Sequence, residues 1–270
     1  AFFRRWKFPF LLAAGLILVQ ALLALFISRQ AGPDRVWLGD YLWNSADQAV
    51  YFTYIEQAKQ GAFTFKNFYA PLDADRFIHL TYVPIGWIAA LFQLSPIVAH
   101  EVGRWITTLI AVCLVYRLVQ SSTDNEREAR VATTTVVLGG GFGWMVVVKQ
   151  AMTGFFPADF AAAADVTSET FFFPTIIGGA HIILSAALLV YGLHRLWIEI
   201  EPDSPSRLRS LASITTLFLL HPYFVPLVGI YLGIAAICKR LSLRHIFRLA
   251  FVYGPFWLLA IAPHTWSQWQ

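Results

Sequence analysis

Apolar runs of about twenty residues, separated by short clusters of arginine and lysine, constrain this chain more than any other feature. A helix of ~20 apolar residues matches the ~30 Å hydrocarbon core of a bilayer. Inside that core every backbone N–H and C=O must be satisfied internally, which leaves helices as the spanning element for runs of this length. Six segments qualify: 8–28, 96–119, 131–149, 174–198, 208–238 and 246–263. The fifth is too long for one crossing and is interrupted at His221-Pro222-Tyr223-Phe224-Val225-Pro226. Its two prolines remove backbone donors and disfavour helix before them, so it divides into 208–220 and 226–238. With 57% hydrophobic and 13% charged residues and a mean hydropathy of +0.59, a water-soluble domain is excluded. The expected fold is an all-α polytopic transmembrane bundle of about seven crossings.

The distribution of basic residues sets the orientation. A further apolar stretch, 77–94, is long enough to consider as a crossing. If it instead lies in the outer interface or re-enters, then 13 of the 20 Lys and Arg residues fall on one side, in clusters at 4–7, 117–130, 195–209 and 239–248. Cytoplasmic loops carry such an excess, so the N-terminus is expected in the cytoplasm and 77–94 is expected not to cross. Arg4-Arg5-Trp6-Lys7 resembles the start of a signal peptide, but the apolar run after it is too long and lacks a small-residue cleavage site, so it reads as a permanent anchor. The net charge of +4 and pI near 9.1 come from these inner loops and are no argument for a nucleic-acid partner. Cys113 and Cys238 lie inside apolar spans without a CxxC spacing and read as small apolar residues. The chain begins at Ala1 and ends just after an outward crossing, giving the expectation that 1–270 is a single transmembrane domain from the N-terminal part of a longer protein.

Two outer loops remain as places for chemistry, 29–95 and 150–173; the connections 121–130 and 199–207 read as solvated cytoplasmic turns. In the first loop, Asn44-Ser45-Ala46-Asp47-Gln48 opens an amphipathic segment that ends at Gly61. Ser45 followed three residues later by Gln48 fits a capping box and puts Asp47 in the first helical turn, where the helix dipole favours an anion. By the i, i+3, i+4 rule, Asp47, Tyr51, Tyr54, Ile55 and Ala58 share one face. The carboxylate is therefore expected to point toward membrane or protein. The simpler account of Asp47, stabilisation of its own helix terminus, stays open at this point.

These residues carry a resemblance. A first transmembrane helix, then Asp47-Gln48 with Tyr51, a surface helix closed by Gly61-Ala62-Phe63, an interfacial segment with Val83-Pro84-Ile85-Gly86-Trp87, and Leu94-Ser95-Pro96 leading into a crossing that carries Arg104, together resemble the membrane glycosyltransferases of the C superfamily. Relatives there include the protein O-mannosyltransferases and the lipid A aminoarabinose transferases. The resemblance covers most of the chain in layout and few residues in identity. Many relatives have Glu directly after the Asp, where this chain has Gln48.

The resemblance implies inverting transfer of a sugar from a polyprenyl-phosphate donor to an acceptor at the outer face of a bacterial-type plasma membrane. Asp47 is then the catalytic base, and Arg104 the group facing the leaving phosphate, with a local pair to Glu101 as the competing account. Tyr51, His181 and His221 are the further candidates for substrate binding. Of the second-loop acids Asp159, Asp165 and Glu169, the last is nearest the membrane. With Asp47 it forms the candidate oxygen-ligand pair for a divalent cation. His181 and His221 also have a plain reading as histidines donating to backbone carbonyls. The aromatics at 63–69, 171–173 and 256–257 fit an interfacial belt.

Two other classes compete. One is a non-catalytic scaffold subunit of a larger membrane complex that keeps a glycosyltransferase-like fold and contacts other membrane subunits, pigments or lipids. The other is a secondary transporter, suggested by the break at 221–226 and weakened because no matching second break forms paired halves.

Overall fold

The computed structural model describes residues 2–30, 45–66, 68, 78–139, 180–204 and 206–266. Its elements are helical: α1 (Phe2–Gln30), α2 (Ser45–Lys59), α3 (Tyr82–Phe92), α4 (Pro96–Ser121), α5 (Glu126–Leu138), α6 (Ala180–Glu199), α7 (Leu208–Leu220), a 3-10 turn (Pro222–Phe224), α8 (Val225–Cys238) and α9 (Leu243–Trp266). Among the described residues four stretches are long and apolar enough to cross a membrane: Trp6–Gln30, Pro96–Ser121, Ala180–Glu199 and Leu243–Ala262. They leave large apolar side chains uncovered, among them Leu11, Leu18, Leu22 and Phe26 on α1 and Phe247, Phe251 and Leu258 on α9. Surfaces of that kind suit lipid and not water.

The expected break in 208–238 is present. His221 leaves helical geometry at φ −152°, ψ 81°, with Pro222 opening the 3-10 turn and Pro226 in the first turn of α8. Both prolines thus occupy positions where a missing N–H costs no helical hydrogen bond. At 13 and 14 residues, α7 and α8 are each about 20 Å long, and α3, at 11 residues, about 16 Å. All three are shorter than the ~30 Å hydrocarbon core of a bilayer. One expectation is corrected. The connection 121–130 is not all turn, because α5 begins at Glu126, where the Asn125 side chain caps it by accepting from the Arg127 N–H at 2.9 Å and Glu126 and Glu128 complement the helix dipole. Residues 140–149 of the expected third crossing and the whole second outer loop lie outside the described residues.

By its contacts the chain divides into two units, 1–48 with 101–184, and 49–100 with 185–270. In the first, α1 lies on α4: Gln20 Nε2 donates to Thr108 Oγ1 at 3.2 Å, and the rings of Trp6 and Phe8 pack against Tyr116 at 6.4 and 5.5 Å. The Arg130 guanidinium of α5 stands over the Phe8 ring at 5.7 Å.

In the second unit, α2 and α3 form a self-fastened helical hairpin. Gly61, at φ +93°, closes α2 in a Schellman arrangement, with Gly61 N–H donating to Ala58 O and Ala62 N–H to Gln57 O. The Gln57 side chain then clamps the following chain at two points, accepting from the Lys66 N–H at 2.8 Å and donating to the Lys66 carbonyl at 3.0 Å. Lys59 Nζ donates to the Leu94 carbonyl at 2.9 Å, just past the end of α3.

Gly86 is where the two helices touch. A Cβ there would lie 2.2 Å from Ala58 Cβ and 2.9 Å from both the Ala58 carbonyl carbon and the Ile55 oxygen. Two of those neighbours are backbone, so no rotamer change relieves the overlap. Gly86→Ala is expected to push α3 off α2 and to cost about 1–3 kcal/mol, as overpacked cores do. Thermal unfolding in detergent, with hydrogen exchange across α2 and α3, checks it. Unchanged exchange protection in this hairpin would contradict the close approach.

Candidate functional site

Tyr54, Ile55 and Ala58, which helical spacing places on one face of α2 with Asp47, are buried, and Tyr51 of the same face is half-buried. From Tyr51 onward this face meets a packed group of rings. Tyr51 stacks on Tyr82 of α3 at 4.9 Å and 18°, and lies nearly parallel to His100 of α4 at 6.4 Å and 11°. His79 packs on Tyr82 at 4.6 Å, and Phe52 meets His100 edge-on at 5.6 Å. Tyr54 stacks on Phe65 at 5.2 Å. Tyr82, Phe65 and His100 are fully enclosed. Offset and edge-on pairs of this kind add ~0.5–1.5 kcal/mol each beyond burial, so Tyr51 is held in a fixed place.

Asp47 belongs to the first turn of α2, as expected. Its side chain lies outside the described residues, and so does all of Glu169, with Asp159 and Asp165. Among the described residues no group of three or more His, Cys, Asp or Glu side chains stands together as a metal site.

Arg104 is on α4 and almost completely buried, as is Glu101 one turn before it. The two form an ion pair through Arg104 Nη2 and Glu101 Oε1. Of the two sequence accounts of Arg104, the local pair is therefore the one visible in the geometry. An arginine within a span needs such a partner or a polar cavity, because an uncompensated charge there costs at least ~2.5–3.5 kcal/mol. His181, the second residue of α6, is buried. His221 sits at the α7–α8 break with its ring 5.3 Å from Tyr223 and 5.1 Å from Phe224. The structure thus groups Tyr51 with the ring cluster and Arg104 with Glu101, and keeps His221 with its own local aromatics.

Sequence reasoning missed a second polar centre. The connection 199–207 reads as a solvated turn, yet Glu199 is buried. Its Oε1 accepts from Arg195 Nε and Nη2 at 3.0 and 2.5 Å, and its Oε2 accepts from the Ser210 N–H at 2.9 Å and the Ser210 hydroxyl at 2.8 Å. Ser210 Oγ also lies 2.6 Å from Tyr253 Oη of α9. One carboxylate thereby ends α6, caps the first turn of α7 with a charge the helix dipole favours, and connects through Ser210 to α9. Nearby, His245 Nε2 lies 2.8 Å from the Ile200 carbonyl, and Lys239, which pairs with Glu201, stands over the Trp197 ring at 4.7 Å. The spacing Arg195-x-x-x-Glu199 at the end of an apolar helix was the available signal.

The chain matches no protein-family model, no curated protein and no solved structure. Its helical fold class and membrane character therefore rest on the helices themselves.

Proposed function

We propose that this chain is a polytopic membrane glycosyltransferase of the C-superfamily type, moving a sugar with inversion from a polyprenyl-phosphate donor to an acceptor hydroxyl at the outer membrane face. In this reading the spans expected from the sequence, 8–28, 96–119, 131–149, 174–198, 208–220, 226–238 and 246–263, supply about seven crossings, the N-terminus is cytoplasmic, and α2 and α3 lie in the outer interface. The observation that carries it is the α2–α3 hairpin. Asp47 precedes Tyr51 by four residues on one helix, and Tyr51 is held by Tyr82 and His100. A base positioned from a rigid element is what the chemistry demands.

The reaction follows from that base. The Asp47 carboxylate takes the proton of the acceptor hydroxyl as its oxygen attacks the anomeric carbon. The bond between that carbon and the phosphate oxygen breaks, and the electron pair leaves with the phosphate. No strong general acid is needed, because a phosphate departs readily as an anion. Positive charge near the leaving oxygens lowers the barrier, and Arg104 is the candidate to supply it by exchanging Glu101 for phosphate. A divalent cation is the candidate cofactor; Asp47 and Glu169 would hold it through carboxylate oxygens, and it would add positive charge near the leaving phosphate.

A second reading, a non-catalytic scaffold subunit, is favoured by one observation. Arg104 is buried and already engaged with Glu101. Sugar transfer measured with the full-length protein in membranes separates the two. Loss of transfer in Asp47→Asn supports the enzyme, whereas undiminished transfer removes Asp47 from the chemistry.

A further inference from the structure

The basic end of α9 holds a cleft that the transferase reading does not use. It has a volume of about 520 Å³ and is lined by Pro202, Ser242, Arg244, His245 and Arg248. The bond between His245 Nε2 and the Ile200 carbonyl at 2.8 Å fixes the first turn of α9 against the end of α6, giving the cleft a rigid wall. Arg244 and Arg248 are exposed, and among the described residues neither has a carboxylate partner. No acidic side chain lines the cleft, and the nearby Glu201 is engaged by Lys239.

Two arginines at i and i+4 with no anion between them repel one another, and that repulsion turns to attraction when an anion bridges them. A guanidinium pair with a serine hydroxyl beside it suits a phosphate group. The adjoining face of the same helix indicates what carries the phosphate. Leu243, Phe247 and Phe251, again at i, i+4, i+8, form a stripe that is 74%, 73% and 82% exposed. It lies on Leu243–Ala262, a stretch long and apolar enough to cross a membrane. A free phosphate ion would use the arginines and leave the stripe unexplained; a phospholipid uses both, with its headgroup in the cleft and an acyl chain along the stripe.

We infer that this cleft is a binding site for the headgroup of an anionic phospholipid, with Arg244 and Arg248 holding the phosphate. Basic residues next to a span attract anionic lipid by about fivefold each in affinity. The test uses the full-length protein in detergent micelles, titrated separately with phosphatidylglycerol, phosphatidylcholine and inorganic phosphate. Retained lipid is read by native mass spectrometry and the unfolding midpoint by tryptophan fluorescence. Phosphatidylglycerol is expected to be retained in preference to phosphatidylcholine and to raise the midpoint. The Arg244→Gln/Arg248→Gln double variant is expected to weaken that retention about thirtyfold, while Arg240→Gln, outside the cleft lining, weakens it by no more than the about fivefold of one surface charge. The inference is overturned if phosphatidylcholine is retained equally well, if the double variant retains phosphatidylglycerol as the parent does, or if inorganic phosphate displaces the lipid and gives the same shift, which would make the ligand a free anion. The comparison of the two lipids on the unmodified protein decides the matter even if the double variant fails to fold.

Discussion

Glu199→Ala is expected to destabilise the protein by about 3–5 kcal/mol, the cost of removing one partner from a buried ion pair. The loss is large because the carboxylate serves four donors at once, two on Arg195 and two on Ser210, from a position with almost no solvent contact. Water cannot replace it without opening the join between α6 and α7. Glu126→Ala is the natural comparison, since Glu126 and Arg130 are also an i, i+4 pair, but with side chains 56% and 48% exposed. That change is expected to leave the unfolding midpoint close to the parent's, because solvent screens an exposed pair. Thermal unfolding of both variants in the same detergent gives the contrast, and Ser210→Ala and Tyr253→Phe should fall between them. Equal midpoints for Glu199→Ala and Glu126→Ala would show that the buried network contributes nothing beyond a surface pair.

If the chain is the transferase proposed above, Asp47→Asn is expected to lower the rate of sugar transfer by about 10²–10⁴-fold, the range that general-base catalysis supplies. Asparagine keeps the shape of the side chain and loses only its capacity to take a proton. The protein should therefore fold normally, and the loss should fall on the turnover number far more than on the apparent affinity for donor. Transfer of labelled sugar by full-length protein in membranes, with expression matched by immunoblot, is the measurement. A variant whose donor affinity fell while turnover held would place Asp47 in binding instead.

Much of the helical framework was legible in the chain. Four of the expected apolar spans, the double-proline break at Pro222 and Pro226, the Gly61 stop and the burial of Tyr54, Ile55 and Ala58 on α2 all follow from local pattern, because each depends on residues within one or two helical turns. The Glu101–Arg104 pair was legible for the same reason, lying at i, i+3. Glu199 was not. Its partners Ser210 and, through it, Tyr253 are 11 and 54 positions further on, and a glutamate followed by Pro202, Asp203, Ser204 and Pro205 looks like any solvated turn. The rings around Tyr51 divide the same way. The position of Tyr51 on α2 could be read from spacing, whereas its stacking on Tyr82 and approach to His100 depend on how α3 and α4 return to that helix.

Lys59 ends α2 and donates to the Leu94 carbonyl beyond α3, so a single ammonium offsets the negative poles of two neighbouring helices. Acetylation of that amine, or its recruitment by an anionic surface, would leave both poles uncompensated together. The hairpin would then loosen at its far corner first, well away from the stacked rings that hold Tyr51.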